Sequence, residues 1–539
     1  MKRILIVLLV MTMLFSLFGC TKKDTTGKYK LDKNRNEAII DDGGKITFTN
    51  EGNNRIFYHI FVGSFSDSNG DGIGDLRGII NRMDYLNDGD PNSGLSLGVE
   101  GIWLSPIFTS PSYHKYDVTD YYEIDPKFGT MDDLKELIEI CHQRGVKLIL
   151  DLVLNHTSTA NAWYQKFVTA HKNNDVASEY YDFYTYSENP IVGRNFIKIP
   201  GTGHYYEGNF SSAMPELNFD NPKVRQAMVD VAKFYMDMGI DGFRFDAAKY
   251  IYYGETTPNT DFWDWYMAQL RAINPDVYSV AEVWDSDSVT IPYFSSTNCF
   301  NFTMAQTEGK ISMAAKGGDV NSFTQYVEDY LASVQALRSD ANIVTFIANH
   351  DTDRAAGFLP YTNGRAMVAA NLSILMPGST FIYYGEEIGM KGSRGGANTD
   401  ANRRLGMLWG DGDTIKDPIG ADYKGEQSNG TVADQLPNGS SLLNHYKKLI
   451  RIRQANPEIV YGTYKALQIP NSKVGGFLST YNGSTVCVIH NTTLNPVTLD
   501  ISQLTDAQLT QLAAYVGVGT AKLEGTTLTI DAQTSVVLR

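Results

Sequence analysis

Gly239-Ile-Asp-Gly-Phe-Arg-Phe-Asp-Ala-Ala-Lys-Tyr250 reads as the approach, body and mouth of one buried strand. Phe243 and Phe245 flank Arg244 in strand-like alternation, and Gly239 and Gly242 punctuate the entry. The strand is therefore predicted to end near Asp246. A carboxylate there is costly to bury alone, and Arg244 lies two residues back on the same face. That spacing lets Arg244 hold Asp246 ionised, as a nucleophile requires. It suits a purely structural Arg–Asp ion pair equally well.

Working outward, strand-like runs alternate with helical ones. The strands are predicted at 57–62, 101–107, 146–154, 242–247, 277–284, 300–305, 343–348 and 381–384. Thr130 is a good N-cap for a helix with Leu134, Leu137, Ile138 and Cys141 on one face, stopped by Gly145. Asn221-Pro222 opens another that runs to Gly239. Eight strands with helices between them suggest a (β/α)8 barrel, and a doubly wound sheet fits the alternation too. One connection, from Asn155 to Asn221, is long enough to be a small domain of its own. After about Pro457 short runs separated by turns suggest a β-sandwich, with strands at 477–481, 485–490, 528–530 and 535–538.

A formal charge of −15 argues against a nucleic-acid partner and fits a neutral substrate such as a polysaccharide. Lys2 and Arg3 followed by the apolar run Ile4–Phe18 read as an export signal. Leu17-Phe18-Gly19-Cys20 resembles the bacterial lipobox, in which Cys20 is lipidated. The polar stretch 21–42 then forms a tether. Cys141, Cys299 and Cys487 suggest neither a disulfide framework nor a zinc site.

Four predicted strands end in chemically capable residues: Asn155-His156, Asp246, Glu282 and Asn349-His350-Asp351. In a barrel these ends converge on one face, where barrel active sites sit. Together, in this order, the stretches Asp151–His156, Gly242–Asp246, Ala281–Trp284 and Asn349–Asp351 resemble the α-amylase family of glycoside hydrolases. Met214–Asn218 and Ile382–Glu387 support the resemblance, which runs from about Phe57 to the C-terminus.

The resemblance implies a barrel over residues 43–155 and 218–456, an inserted domain at 156–217 after the third strand, and a sandwich at 457–539. It implies Asp246 as nucleophile, Glu282 as acid/base, and Asp351 as the acid that holds the ring hydroxyls. Arg244 would pair with Asp246, and His156 and His350 would bind the sugar at the cleaved position. Tyr116 would stack under that sugar and His114 would bind one of its hydroxyls. Lys249, followed by Tyr250, would contact the leaving-group sugar, and Arg354 joins the substrate-binding candidates. Such chemistry needs two carboxyl groups about 5 Å apart, one ionised and one protonated.

Asp67, Asn69, Asp71 and Asp75 place oxygen donors at alternate positions, Gly72 allows a sharp turn, and Ile73 offers its carbonyl. The loop begins like an EF-hand but has Gly78 at position twelve; it suits Ca²⁺ in a structural role. Asn155 is a candidate ligand of a second ion, although Tyr250 stands where many family members carry an assisting His.

The leading expectation is a monomeric, exported, lipid-anchored α-amylase that cuts internal α-1,4 bonds of starch-like glucans with retention. An exo-acting α-glucosidase, an oligo-1,6-glucosidase and a transglycosylase are the alternatives within the family. The alternative from another class is a non-catalytic glucan-binding lipoprotein.

Overall fold

The structure is a computed structural model that describes residues 52–361, 364–394 and 400–539. Cys20, the export signal and the tether lie outside the described residues.

Eight parallel strands form one sheet: β1 (Ile56–Ile60), β2 (Gly101–Leu104), β3 (Lys147–Leu152), β4 (Gly242–Phe245), β5 (Tyr278–Ala281), β6 (Asn298–Cys299), β7 (Val344–Phe346) and β8 (Ser379–Tyr383). Their hydrogen-bonded order is β6-β5-β4-β3-β2-β1-β8-β7, and a parallel bridge from Phe300 to Val344 joins the two ends. The sheet is thus a (β/α)8 barrel. A doubly wound sheet would leave two open edges.

The predicted helices form where their caps demand. Met131–Gln143 starts at a capping box between Thr130 and Asp133, and Gly145 follows at φ +71°. Such a box contributes about 1 kcal/mol. Pro222–Met238 is capped by the Asn221 side chain and ends at Gly239, whose φ of +111° favours glycine.

Inside the barrel, Phe57, Trp103, Ile149, Tyr278, Phe346 and Phe381 belong to one apolar cluster. The rings of Phe57 and Phe381 stack at 4.6 Å. Gly101 pairs with Phe57 across the sheet, and a Cβ there would lie 2.3 Å from that ring. Glycine is what lets the two strands close on a phenylalanine.

The sixth strand departs from expectation. It is Asn298–Cys299, and Phe300 and Phe302, predicted to lie in it, plug the barrel interior just beyond it. Apolar density marked the plug rather than the short polar strand beside it.

Residues 156–217 leave the barrel after β3. They carry helix Ala162–Lys172 and a three-stranded sheet of Tyr186–Ser187, Tyr205–Glu207 and Phe196–Lys198. At the C-terminus a five-stranded antiparallel sheet faces a three-stranded one, with Leu467, Val474, Ile489, Leu528, Ile530 and Val536 packed in one cluster. Two of its strands, Val497–Asp500 and Ala521–Glu524, were invisible to the apolar-run reading because half or more of their residues are polar or exposed. Cys141, Cys299 and Cys487 are buried free thiols. No helix among the described residues is long and apolar enough to cross a membrane.

Candidate active site

The mouth of the barrel is organised by one guanidinium. Arg244, on β4, is 1% exposed, and its Nη1 donates to Asp246 Oδ1 and to Asp151 Oδ1, each at 2.7 Å. Its Nη2 lies 2.9 Å from Glu282 Oε2. Asp151 on β3, Asp246 just past β4 and Glu282 just past β5 therefore converge because three neighbouring strands end together. Alternation explains why the side chains meet: Ile149 faces the interior, so Asp151 does too, and Arg244 and Asp246 share a face in the same way.

Two of the six left-handed non-glycine residues among the described residues lie at this site. Ala247, directly after Asp246, adopts φ +48° and donates its N–H to Glu282 Oε2 at 3.1 Å. Lys115, between His114 and Tyr116, adopts φ +67° and pairs with Asp125 at 2.6 Å. Left-handed backbone at a non-glycine residue costs on the order of 1 kcal/mol and persists only where surroundings enforce it.

Electrostatics separate the acids. Burial raises the Glu282 carboxyl to about 7; Arg244 opposes this, and the charges of Asp246 and Asp351 add to it. Burial likewise lifts Asp151 to about 8 against the pull of Arg244. Asp351 goes the other way. Burial would raise it, but His350 and Arg404 hold it well below the usual carboxylate range. His350 Nε2 lies 2.9 Å from Asp351 Oδ2, and Arg404 Nη2 lies 2.8 Å from Oδ1.

The other predicted residues are each held by contacts of their own. Tyr116 donates its hydroxyl to Asp151 Oδ2 at 2.9 Å, contacts His350 Nε2 at 2.7 Å, and stacks on His350 at 5.5 Å. His114 accepts the Tyr116 N–H at Nδ1, and burial and Arg404 lower it to about 4, so its ring is neutral. His156 is buried, and its Nε2 has no protein partner. Lys249 is tied by Nζ to the Trp284 carbonyl at 2.8 Å and to Asp285 at 3.0 Å. Arg354 is 2% exposed, and its guanidinium donates to the carbonyl oxygens of Tyr384 and Arg403. It supports the loop behind Asp351 instead of facing the cleft.

Three residues of the site received no role from the sequence. Asp151 had a usable signal, since it lies two residues beyond the inward-facing Ile149. Arg404 and Tyr113 had little: Arg404 comes from the loop after β8, and its Nη1 donates to the Tyr113 hydroxyl at 3.1 Å. Only the fold brings them beside Asp351.

The loop Asp67–Asp75 curls through successive side-chain turns. Asp67 accepts the N–H groups of Asn69, Gly70 and Gly72, Asn69 accepts that of Asp71, and Asp71 accepts that of Ile73. Asp75 caps helix Leu76–Asn81 through Gly78 N at 2.6 Å and takes the Ser68 N–H and hydroxyl on its other oxygen. Among the described residues no three His, Cys, Asp or Glu side chains gather as a metal group. The oxygen-rich chemistry suits a hard cation, but its donors are turned to the loop's own amides.

A parallel barrel whose mouth joins three carboxyl groups on one arginine, with a fourth beside an aromatic platform, is the architecture of a sugar-bond-processing enzyme. Comparison with known proteins gives the family. Residues 59–462 match the model of the alpha amylase catalytic domain. Alpha-amylase 3 of Dictyoglomus thermophilum is 36% identical over 449 residues, covering 81% of this chain and 84% of that protein. A 4-alpha-glucanotransferase of Thermotoga maritima is 30% identical, covering 74% and 87%. Among solved structures, Eubacterium rectale Amy13B matches with a TM-score of 0.85 at 31% identity, over 95% of this chain and 99% of that one. The chain belongs to the α-amylase family of glycoside hydrolases and transglycosylases.

Proposed function

We infer that this chain is a retaining α-glucan hydrolase acting on internal α-1,4 bonds of starch-like polymers and maltooligosaccharides. The observation that carries this reading is the bridge from Asp246 through Arg244 to Glu282. One guanidinium holds both carboxyl groups, so they stand as close neighbours, as a double displacement requires. Asp246 attacks the anomeric carbon while Glu282, protonated up to about pH 7, gives its proton to the departing glycosidic oxygen. Glu282 then takes a proton from water as the water displaces Asp246. Asp351, kept charged by His350 and Arg404, favours the positive character that develops on the ring. His114 beside the platform, as in endo-acting members, favours internal cleavage.

The reading also carries an export step and a lipid tether at Cys20, resting on residues 1–20 of the sequence alone. It includes a structural calcium ion held by Asp67, Asn69, Asp71, Asp75 and the Ile73 carbonyl, supported by their oxygen chemistry.

The test is digestion of a long linear α-glucan, with products sized and their anomeric form followed over time. Mid-length α-anomeric products are expected from wild type. Glucan binding with turnover lowered on the order of 10⁴-fold is expected from Asp246→Asn. Glucose as the sole early product, or an active Asp246→Asn, would defeat the assignment.

A further inference from the structure

Of the chain's nine histidines, His171 and His204 alone meet nitrogen to nitrogen among the described residues. His171 lies near the end of helix Ala162–Lys172, and His204 directly before strand Tyr205–Glu207 of the inserted domain. Their Nδ1 atoms are 2.9 Å apart. The other nitrogen of His171 fixes the roles. It lies 2.8 Å from the Tyr181 carbonyl oxygen, which can only accept, so Nε2 carries the hydrogen and Nδ1 keeps its lone pair. The hydrogen between the rings therefore belongs to His204. Burial moves His171 below the ordinary histidine value, so its ring is neutral at pH 7. An imidazole that gives one N–H to a backbone carbonyl and bares its other nitrogen is held as metal-binding histidines are held.

The His171 ring is braced. Tyr181 stacks on it at 4.1 Å, and the rings of Phe167 and Tyr186 lie 4.4 Å and 4.5 Å away. His204 is the adaptable partner: half-buried, it follows Gly201-Thr202-Gly203. Its backbone is fixed, the N–H donating to Thr202 Oγ1 at 3.1 Å and the carbonyl accepting from Ile199 N–H at 2.8 Å. With metal–nitrogen bonds of about 2.0–2.1 Å, two nitrogens 2.9 Å apart subtend about 90° at an ion. Neighbouring ligands in a square or octahedral site stand at that angle, whereas a tetrahedral ion asks for about 3.3 Å. Imidazole pairs suit Cu²⁺ and Ni²⁺, while Ca²⁺ and Mg²⁺ take oxygen.

We propose that His171 and His204 bind a divalent transition-metal ion, Cu²⁺ most tightly, through both Nδ1 atoms, with water completing the coordination. The ion takes the place of the hydrogen between the rings as the His204 ring turns its Nδ1 lone pair inward. That proton leaves to water and one from water binds His204 Nε2, so both imidazoles stay neutral. The ion pins helix Ala162–Lys172 to strand Tyr205–Glu207 and stiffens the inserted domain.

The experiment titrates the full chain with Cu²⁺, Ni²⁺ and Zn²⁺ by calorimetry, with Ca²⁺ in excess, and repeats each titration on His204→Asn. Wild type should bind Cu²⁺ more tightly than Ni²⁺ or Zn²⁺, and His204→Asn should bind Cu²⁺ at least about tenfold more weakly. Near pH 5, where protons compete for the imidazoles, wild-type affinity should fall towards that of the variant. Ni²⁺ should raise the Tm of wild type and leave that of His204→Asn unchanged. Equal Cu²⁺ affinity in the two proteins overturns the site, because every other donor of the chain, thiols included, is common to both. Electron paramagnetic resonance of the wild-type Cu²⁺ complex decides the matter without a variant: two coordinated imidazole nitrogens are expected, and one or none overturns the site.

Discussion

Two groups of buried acids lie within this barrel, and they are held by different partners. At the mouth, Asp246, Glu282 and Asp351 lean on Arg244 and Arg404. Below the end of β8, Glu386 and Glu387 lean on phenols. Glu387 Oε1 accepts from Tyr58 at 2.7 Å and Tyr85 at 2.6 Å, and Glu386 Oε1 accepts from Tyr446 at 3.0 Å. Burial raises Glu386 to about 8 and raises Glu387 as well, the phenols opposing it. A phenol returns little of the solvation that a carboxylate loses on burial, and a guanidinium returns more, enough for Asp351 but not for the fully buried Asp151, which is lifted to about 8. Glu282 lies between the two regimes. It has an arginine, but two neighbouring carboxylates offset it, which is how an acid beside a guanidinium keeps a proton near neutrality.

The same substitution should therefore act oppositely in the two places. Glu282→Gln should lower kcat on soluble starch by about 10²–10⁴-fold, because the amide has no proton to give. Glu387→Gln should leave kcat within twofold and change unfolding stability by about 1 kcal/mol or less, since the amide oxygen can still accept from both phenols. Activity lost equally in both would erase the distinction. In wild type, kcat should fall as pH rises through about 7, where Glu282 loses its proton.

The next effect in size is on stability. The folded-state value of Glu386 stands above its ordinary 4.5. Its protonation thus supports the fold fully below about pH 4.5, and that support is lost as pH rises towards about 8. Calorimetry of wild type and Glu386→Gln should show wild-type Tm falling faster between pH 5 and 8. Parallel curves would mean that Glu386 is charged across this range. The smallest effect is expected from chelation. EDTA should lower Tm by a few degrees while leaving kcat at 25 °C within about twofold, because the loop Asp67–Asp75 precedes the catalytic strand ends. Unchanged melting would remove calcium from the proposal.

How much was legible beforehand follows from how local each signal is. The Phe243–Arg244–Phe245 alternation placed Asp246 at a strand end, and capping chemistry at Thr130 and Asn221 marked two helix starts. The plug Phe300–Phe302 misled because interior packing and strand formation both select apolar residues. The Arg354 guanidinium turns to the carbonyl oxygens of Arg403 and Tyr384, a direction that nothing local in the sequence encodes.

By itself, the sequence determined the barrel's period, the order of its strand-end acids and their family, since those depend on residues a few positions apart. Only the tertiary structure decided that Arg244 serves three carboxyl groups, that Arg404 arrives from beyond β8 to hold Asp351, and that Glu282 retains its proton. Those facts depend on distances and burial between residues dozens of positions apart, which exist only once the sheet has closed.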